Sequence, residues 1–484
     1  MRLLIVGGGG FRVPLIYRAL VSGRFAGLVS DLVLHDVDPS RLAAVTAVLR
    51  SMPAGPGRPL PVHATTDLAG ALPGTDMVFA AIRPGGTAGR VADEKVAQRL
   101  GLLGQETTGA GGISYALRTI PHMVHLARLM DRLCPSARLI NFTNPAGMVT
   151  EALVPVLGSR VVGICDSAGA LVQRAARAAG AGLPDGTLDG VGYFGLNHLG
   201  WLYRLESGGR DLLPGLLADP AALQSFEEGR LFPPAFLAHL GMLPNEYLYY
   251  FYRSDDARRS MSTMPQTRGE DIHGSQQELY PRLAGAGGDA FRLWDAARRS
   301  REEGYLAEAR PEGSQRDEED LAGGGYERVA LAAMRALAGM GATELILNTR
   351  NTRAPAPGGP AGPAGPAGPA MAQPATPEAA VPGLPADAVV ELPCTVTADG
   401  ARPIPQQRPP EPQLRLLRQV KDVERLTVRA ATTGDRAAAL AAFAGHPLVG
   451  SDEVAARLLA GYEEAFPQLR LMWGAQDITA DGGR

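Results

Sequence analysis

Residues 1–20, MRLLIVGGGGFRVPLIYRAL, decide how this chain folds. Leu3 to Val6 form a short apolar run suited to a strand buried on both faces. Gly7 to Gly10 follow, and PLIYRAL then sets apolar residues at helical spacing. A strand that ends in a glycine turn and opens into a helix lets backbone N–H groups approach a pyrophosphate at the positive helix end. Gly7, Gly8, Gly9, Gly10 and Phe11 are therefore candidate cofactor-binding residues. Arg12 stands where the usual fingerprint has its third glycine, so the turn alone also reads as an ordinary tight turn.

The alternation continues outward. Leu32 to Leu34 read as a second strand ending at His35-Asp36, and Asp38-Pro39 supply an N-cap and an N1 proline for the helix SRLAAVTAVL. A carboxylate at Asp36 can accept hydrogen bonds from a ribose diol, which favours NAD over NADP. Further strands are expected at Met77 to Ile82 and at Arg138 to Phe142. The fold class is α/β: an N-terminal Rossmann-like, doubly wound parallel sheet over residues 1–190, then a mixed α+β domain over 191–484 for substrate and oligomerisation. Within the second part, residues 354–382 carry Gly-Pro-Ala triplets too few for a triple helix and read as a flexible surface insert. Beyond it, VVELP reads as a strand and Val423 to Phe466 as packing helices.

Composition bounds the function. The 484 residues allow two or three domains, with 45% hydrophobic and 20% charged residues. Lys+Arg is 47 against Asp+Glu 50, a formal net charge of -3, which argues against nucleic acid as the partner. Three cysteines cannot build a disulfide framework in so long a chain, and no apolar run reaches the roughly 18 residues of a membrane span. The first residues lack a cleavage pattern, so a cytoplasmic, reducing location is expected.

Several residues sit where open sheets bind ligands. Arg83, in FAAIRPGG, follows a strand and can hold phosphate or sugar hydroxyls, or form a structural salt bridge. Asn141 and Asn144, in NFTNPAG, suit a polyhydroxylated ligand, although Asn-Pro is also a good turn former. Cys165, in VVGICDSAG, and His198, in GYFGLNHLGW, both end apparent strands. Each alone reads as a buried core residue, yet together a thiolate and an imidazole suit a divalent transition metal with positions left open for substrate. PNEYLYYFY reads as a core helix face, or as the source of a tyrosine base beside a cation.

Taken in order, GGGG, HDVD, IRPGG, GLLGQETTGAGGISYALRTIP, NFTNPAGMVTEA, GICDSA, GLNHLGW, PNEYLYYFY, TRGEDI, GGGYERVA, LPADAVVELP and GHPLV resemble the NAD- and metal-dependent glycoside hydrolases of family four, the 6-phospho-glucosidase group. The resemblance implies a small sugar-phosphate substrate and two cofactors, NAD+ and Mn2+ or another divalent cation. It implies that NAD+ takes hydride from C3 of the sugar, that the C2 proton is then removed, that the aglycone is eliminated and water adds, and that NADH returns the hydride. By resemblance Cys165 and His198 hold the metal, Tyr247 is the C2 base, and Asn144, Arg83 and Arg268 bind substrate. It further implies a homodimer or homotetramer. Two departures bear on substrate. Asp166 follows the metal cysteine, as in the 6-phospho-α-glucosidases where it is a candidate general acid, with Ser167-Ala168 replacing an apolar-Pro pair. Phe11-Arg12-Val13 stand where small hydroxyl residues are common. The overall texture is most like the 6-phospho-β-glucosidases. The alternatives are a 6-phospho-α-glucosidase or other family-four glycosidase by the same route, an NAD-dependent 2-hydroxy-acid dehydrogenase, and a non-catalytic NAD-binding protein.

Overall fold

A computed structural model describes residues 1–53, 60–184, 186–309, 316, 325–353 and 378–474. Its centre is a single sheet of 13 strands among the described residues. Six of them are parallel and in the order β3-β2-β1-β4-β5-β6: β1 (Arg2–Val6), β2 (Asp31–His35), β3 (Val62–Thr65), β4 (Met77–Ala80), β5 (Arg138–Asn141) and β6 (Val161–Gly163). That order reverses between β1 and β4, and ligands of doubly wound sheets bind in the crevice such a reversal opens at the carboxyl ends of the strands. The fold is thus the expected Rossmann-like sheet followed by a mixed α+β part.

β1 shows why both faces are covered. Side chains alternate across a strand. Leu3 and Ile5 enter one core, with Leu32, Leu34 and the helix Pro39–Ser51, while Leu4 and Val6 enter the other, with Val78, Ala80 and the helix Ala110–Leu133. The helix Pro39–Ser51 starts as its sequence dictates: Asp38 accepts from the amides of Ser40 and Arg41, and Pro39 occupies N1. β3 was not anticipated. Its sequence, VHAT, is polar and half-exposed because it is an edge strand, with too little apolar pattern to read.

The second part continues the same sheet. β7 (Val191–Leu196), β8 (Leu199–Ser207), β9 (Arg210–Asp211), β10 (Leu243–Pro244), β11 (Thr343–Arg350), β12 (Val389–Thr397) and β13 (Gly400–Pro403) are antiparallel to their partners. Because β11 pairs with β6, hydrogen bonding runs unbroken across residue 190. The chain's tail forms helices Glu411–Thr433, Arg436–Gly445 and Asp452–Ala465, the first beginning twelve residues before the expected start at Val423. Residues 354–377 of the expected insert lie outside the described residues. Its last residues correct that reading. Ala379 bridges Thr352, the Ala380 amide donates to Asn351 O, and Val381 is fully buried, so the chain from Glu378 onward is packed framework.

No helix among the described residues is long and apolar enough to cross a membrane.

Candidate active site

A cavity of about 780 Å3 opens at the β1/β4 reversal and runs along the carboxyl ends of the parallel strands. That is within the range of roughly 300–1,000 Å3 typical of small-molecule sites. By the order of the strands that carry them, Gly7, Gly10, Phe11 and Asp36 lie toward the β1–β2 end and Asn144, Cys165 and Asp166 toward the β5–β6 end, with Arg83 following β4 between; His198, Tyr247 and Arg268 also line the cavity.

At the first end, the glycines act through their lack of a side chain. Gly7 has φ +96°, and a Cβ there would lie 2.4 Å from Ala81 O, so β1 and the end of β4 approach only because Gly7 is bare. Gly8 packs on Leu34 and His35, and Gly9 on Arg41, so these two stand behind the cavity wall and not in it. The expectation that this turn's amides face a pyrophosphate needs correction. Gly7 and Gly8 donate to His35 O at 2.9 and 2.7 Å, Gly9 donates to Asp36 Oδ2 at 2.9 Å, and Gly10 donates to Gly7 O at 2.9 Å. The turn's own amides are thus spent on shaping it. Asp36 is a structural acceptor as well as a wall residue, since its Oδ1 accepts from the Asp38 amide at 3.1 Å. Trp294 Nε1 donates to Phe11 O at 2.8 Å and fixes the entry to the first helix, Val13–Val21.

At the other end, β6 delivers Cys165 and the turn between β7 and β8 delivers His198, the latter with φ +64°. Cys165 Sγ lies 3.5 Å from His198 Nε2. His198 Nδ1 is 3.1 Å from Thr107 Oγ1; a proton donated there leaves the Nε2 lone pair facing the sulfur. Burial pulls the imidazole down to about 3, against the nearby charge of Glu106, so the ring is neutral. Burial pushes the Cys165 thiol well above its ordinary value, and the carboxylates of Asp166 and Glu391 push the same way. A cation is what such a sulfur needs to shed its proton. Among the described residues no third His, Cys, Asp or Glu completes a three-residue cluster around the pair.

Tyr247 follows a turn built by Asn245, whose Oδ1 accepts the Tyr247 amide at 3.0 Å. Its ring lies against His198. Burial raises the phenol well above its usual value, with the charge of Glu246 adding to this and a hydrogen bond from Tyr305 opposing it. Glu246 is itself raised to about 8, by burial and then by Glu228. Asp166 immediately precedes the helix Ser167–Ala178 without a capping hydrogen bond and sits 3.8 Å from Arg12 Nη1; burial raises its carboxyl, and Arg12 opposes the rise.

Asn144 Oδ1 is buried with no hydrogen-bond partner among the described residues, and Asn144 lines the cavity. Asn141, by contrast, is internal framework, donating to Thr143 O, Ala146 O and Thr150 Oγ1. Arg83 is engaged by Glu106 at 2.5 Å, and Arg90 holds the other oxygen of Glu106 at 2.7 Å. Burial works against the Glu106 carboxylate, yet Arg83 and Arg90 together hold it down at about 2. Arg268 begins the helix Arg268–Gly285, whose Thr267–Glu270 capping box fixes its start. Arg268 donates to Arg301 O, and burial beside Arg90 lowers its guanidinium.

Sequence reasoning missed Glu106, Thr107, Glu246, Arg301, Glu302 and Tyr305, all brought to this site. Glu106 and Thr107 sit in the quoted QETTGAGG string and were within reach. Tyr305 and Arg301 carry no local signal, because their placement follows from how the helix Ala290–Glu303 packs.

Comparison with known proteins bears on family and fold. The family model described as "Family 4 glycosyl hydrolase" matches residues 2–180, and "Family 4 glycosyl hydrolase C-terminal domain" matches residues 193–358 and 370–449. A probable 6-phospho-beta-glucosidase of Bacillus subtilis is 28% identical over 470 residues, 95% of each chain. The 6-phospho-beta glucosidase of Thermotoga maritima, solved with manganese, NAD+ and glucose-6-phosphate, superposes with TM-score 0.75 at 24% identity, covering 97% of this chain and 99% of that one. A 6-phospho-alpha-glucosidase from gut microorganisms, solved with NAD and Mn2+, gives TM-score 0.71 at 24% identity over 96% and 97%. The two structural likenesses establish the shared fold.

Proposed function

The chain belongs to the family 4 glycosyl hydrolases, and from that premise we propose that it hydrolyses 6-phospho-β-glucosides with NAD+ and a divalent cation such as Mn2+. The observation that carries the reading is the buried Cys165–His198 pair, 3.5 Å apart, at the far end of a cavity that starts at Gly7 and Asp36. A sulfur and a neutral imidazole form a donor set suited to a transition-metal ion, and with only two protein donors most of the coordination shell is left to substrate oxygens. The cavity end at Gly7, Gly10 and Asp36 suits a dinucleotide by the same logic.

In this reading Cys165 Sγ and His198 Nε2 hold the cation, while NAD+ lies against Gly7, Gly10, Phe11 and Asp36. When bound, the two groups supply a hydride acceptor and a Lewis acid. As the phenolate, which a cation held beside it would favour against the pull of burial, Tyr247 would receive the substrate C2 proton at Oη, and Tyr305, hydrogen-bonded to it, orients the ring. Asn144 Oδ1, which has no protein partner, accepts from a sugar hydroxyl. Arg83 and Arg268 provide cationic donors for hydroxyl and phosphate oxygens. Thr107 fixes the His198 tautomer. A homodimer or homotetramer, and a division near residue 190, belong to the same proposal.

Asp166 supports a second reading, a 6-phospho-α-glucosidase in which this carboxyl, beside the metal cysteine and raised by burial, protonates the leaving group. The test is release of p-nitrophenol from the 6-phospho-β- and 6-phospho-α-glucosides, with NAD+, Mn2+ and reductant supplied and then withheld singly. Colour from the β-anomer that needs all three supports the first reading. Colour from the α-anomer alone moves the assignment to the second, and silence on both overturns the substrate class.

A further inference from the structure

Glu391 is a carboxylate near the start of β12, 1% exposed, that none of the chemistry above uses. Both of its oxygens are occupied. Oε2 accepts from Tyr193 Oη at 2.9 Å, and Oε1 accepts from Asn197 Nδ2 at 3.3 Å and Asn348 Nδ2 at 3.2 Å. Burying a carboxylate is costly unless something requires it there.

Each partner leads back to the site. Asn197 immediately precedes His198, and its Oδ1 accepts the Ala146 amide at 3.1 Å, two residues beyond Asn144. Asn348 stands opposite Gly163 in the β11–β6 pairing, two residues before Cys165, and a Cβ on Gly163 would come within 2.9 Å of Asn348 Cβ. Tyr193 lies on β7, the strand that ends at the His198 turn. One carboxylate therefore ties the segments that carry Asn144, Cys165 and His198. The need for such a tie is visible at His198. Its φ of +64° is a conformation that a side chain bearing a Cβ adopts only when its surroundings over-determine it. His198 also borders a second cavity of about 30 Å3, shared with Pro145, Asn197 and Glu424.

We propose that Glu391 is a positioning residue for the metal pair, setting the spacing of Cys165 and His198 through Asn197 and Asn348. The proposal rests on the metal-binding reading above. Outer-shell groups of this kind typically cost about 10–100-fold in metal affinity when removed.

The test uses the full-length protein and measures Mn2+ binding by the loss of the free-ion EPR signal and NAD+ binding by fluorescence titration, with thermal melting as control. Asn197→Ala cuts the link to His198 while leaving Glu391 bonded to Tyr193 and Asn348. It is expected to weaken Mn2+ by about 10–100-fold with NAD+ affinity unchanged. Glu391→Leu is expected to do the same or more. Glu391→Gln restores binding close to wild type, since its amide oxygen still accepts from both asparagines and its NH2 can donate to Tyr193 Oη. Unchanged Mn2+ affinity in Asn197→Ala, or equal losses of Mn2+ and NAD+ affinity that track melting temperature, overturns the positioning role alone. A wild-type protein that takes up no Mn2+ overturns the metal-binding reading together with this proposal.

Discussion

The imidazole of His198 lies flat on the phenol ring of Tyr247, with ring centroids 3.6 Å apart and planes within 4°. Forty-eight residues of chain lie between the two, yet this stack puts the phenol proposed to receive the substrate proton against the imidazole proposed to hold the cation. Tyr247→Phe keeps the stack and deletes only the oxygen. Its turnover is expected to fall by about 10²–10⁴, the usual worth of a positioned acid–base group, while Mn2+ affinity stays at the wild-type value. Steady-state kinetics beside a Mn2+ titration reads both, and a fully active Phe variant removes Tyr247 from the chemistry.

Metal removal separates the two cofactor sites. Dialysis against a chelator is expected to abolish turnover and leave NAD+ binding intact, because Asp36 and Gly7 are at the opposite end of the cavity from Cys165. Added Mn2+ should restore activity. Cys165→Ser replaces a soft donor with a hard, weakly acidic one and should not be rescued at the same Mn2+ concentration. Activity that survives chelation points instead to a dehydrogenase-like use of the fold.

Gly7→Ala tests the turn. The new Cβ would meet Ala81 O at 2.4 Å, at a φ of +96° that non-glycine residues avoid. The backbone penalty alone is about 1–3 kcal/mol, and the clash separates β1 from the end of β4. Denaturant unfolding should report at least that loss, with NAD+ affinity falling in the same variant. A variant of wild-type stability would show that the turn relaxes freely.

His446, which lines the same small cavity as His198, governs a pH response of stability. It is 6% exposed, its Nδ1 accepts the Leu448 amide at 3.1 Å, and burial lowers the imidazole to about 4. An unfolded histidine titrates near 6.5, so the unfolded chain binds a proton that the folded one refuses. Stability is therefore complete above about pH 6.5 and is lost as pH falls toward about 4, by roughly 3 kcal/mol in total. His446→Asn, which retains an acceptor for Leu448, should melt with a smaller drop between about pH 7.5 and about pH 5 than wild type. Parallel pH profiles for the two proteins would place the titration elsewhere.

Local patterns carried much of the architecture. The apolar run Leu3–Val6 before four glycines, the Asp38-Pro39 cap and VVELP each act within a few residues, so β1, the helix Pro39–Ser51 and β12 were readable. β3 was not, because an edge strand such as VHAT needs no apolar face. Among site residues, Cys165 and His198 stood out through the strings around them, whereas Arg83 was visible as a residue but not as a partner of Glu106.

The linear order of residues determined which chemical groups were present and which strands would carry them: a bare turn at Gly7, a carboxylate at Asp36, a thiol at Cys165, an imidazole at His198. Only the tertiary structure decided how those groups were spent. It committed the turn's amides to His35, Asp36 and Gly7 itself, and it clamped Glu106 between two arginines. It also buried Glu391 among partners from two strands and a strand-end turn. The reason is physical: helix and strand signals come from neighbours in sequence, whereas desolvation and hydrogen-bond partnership depend on which distant segments the sheet brings within a few ångströms.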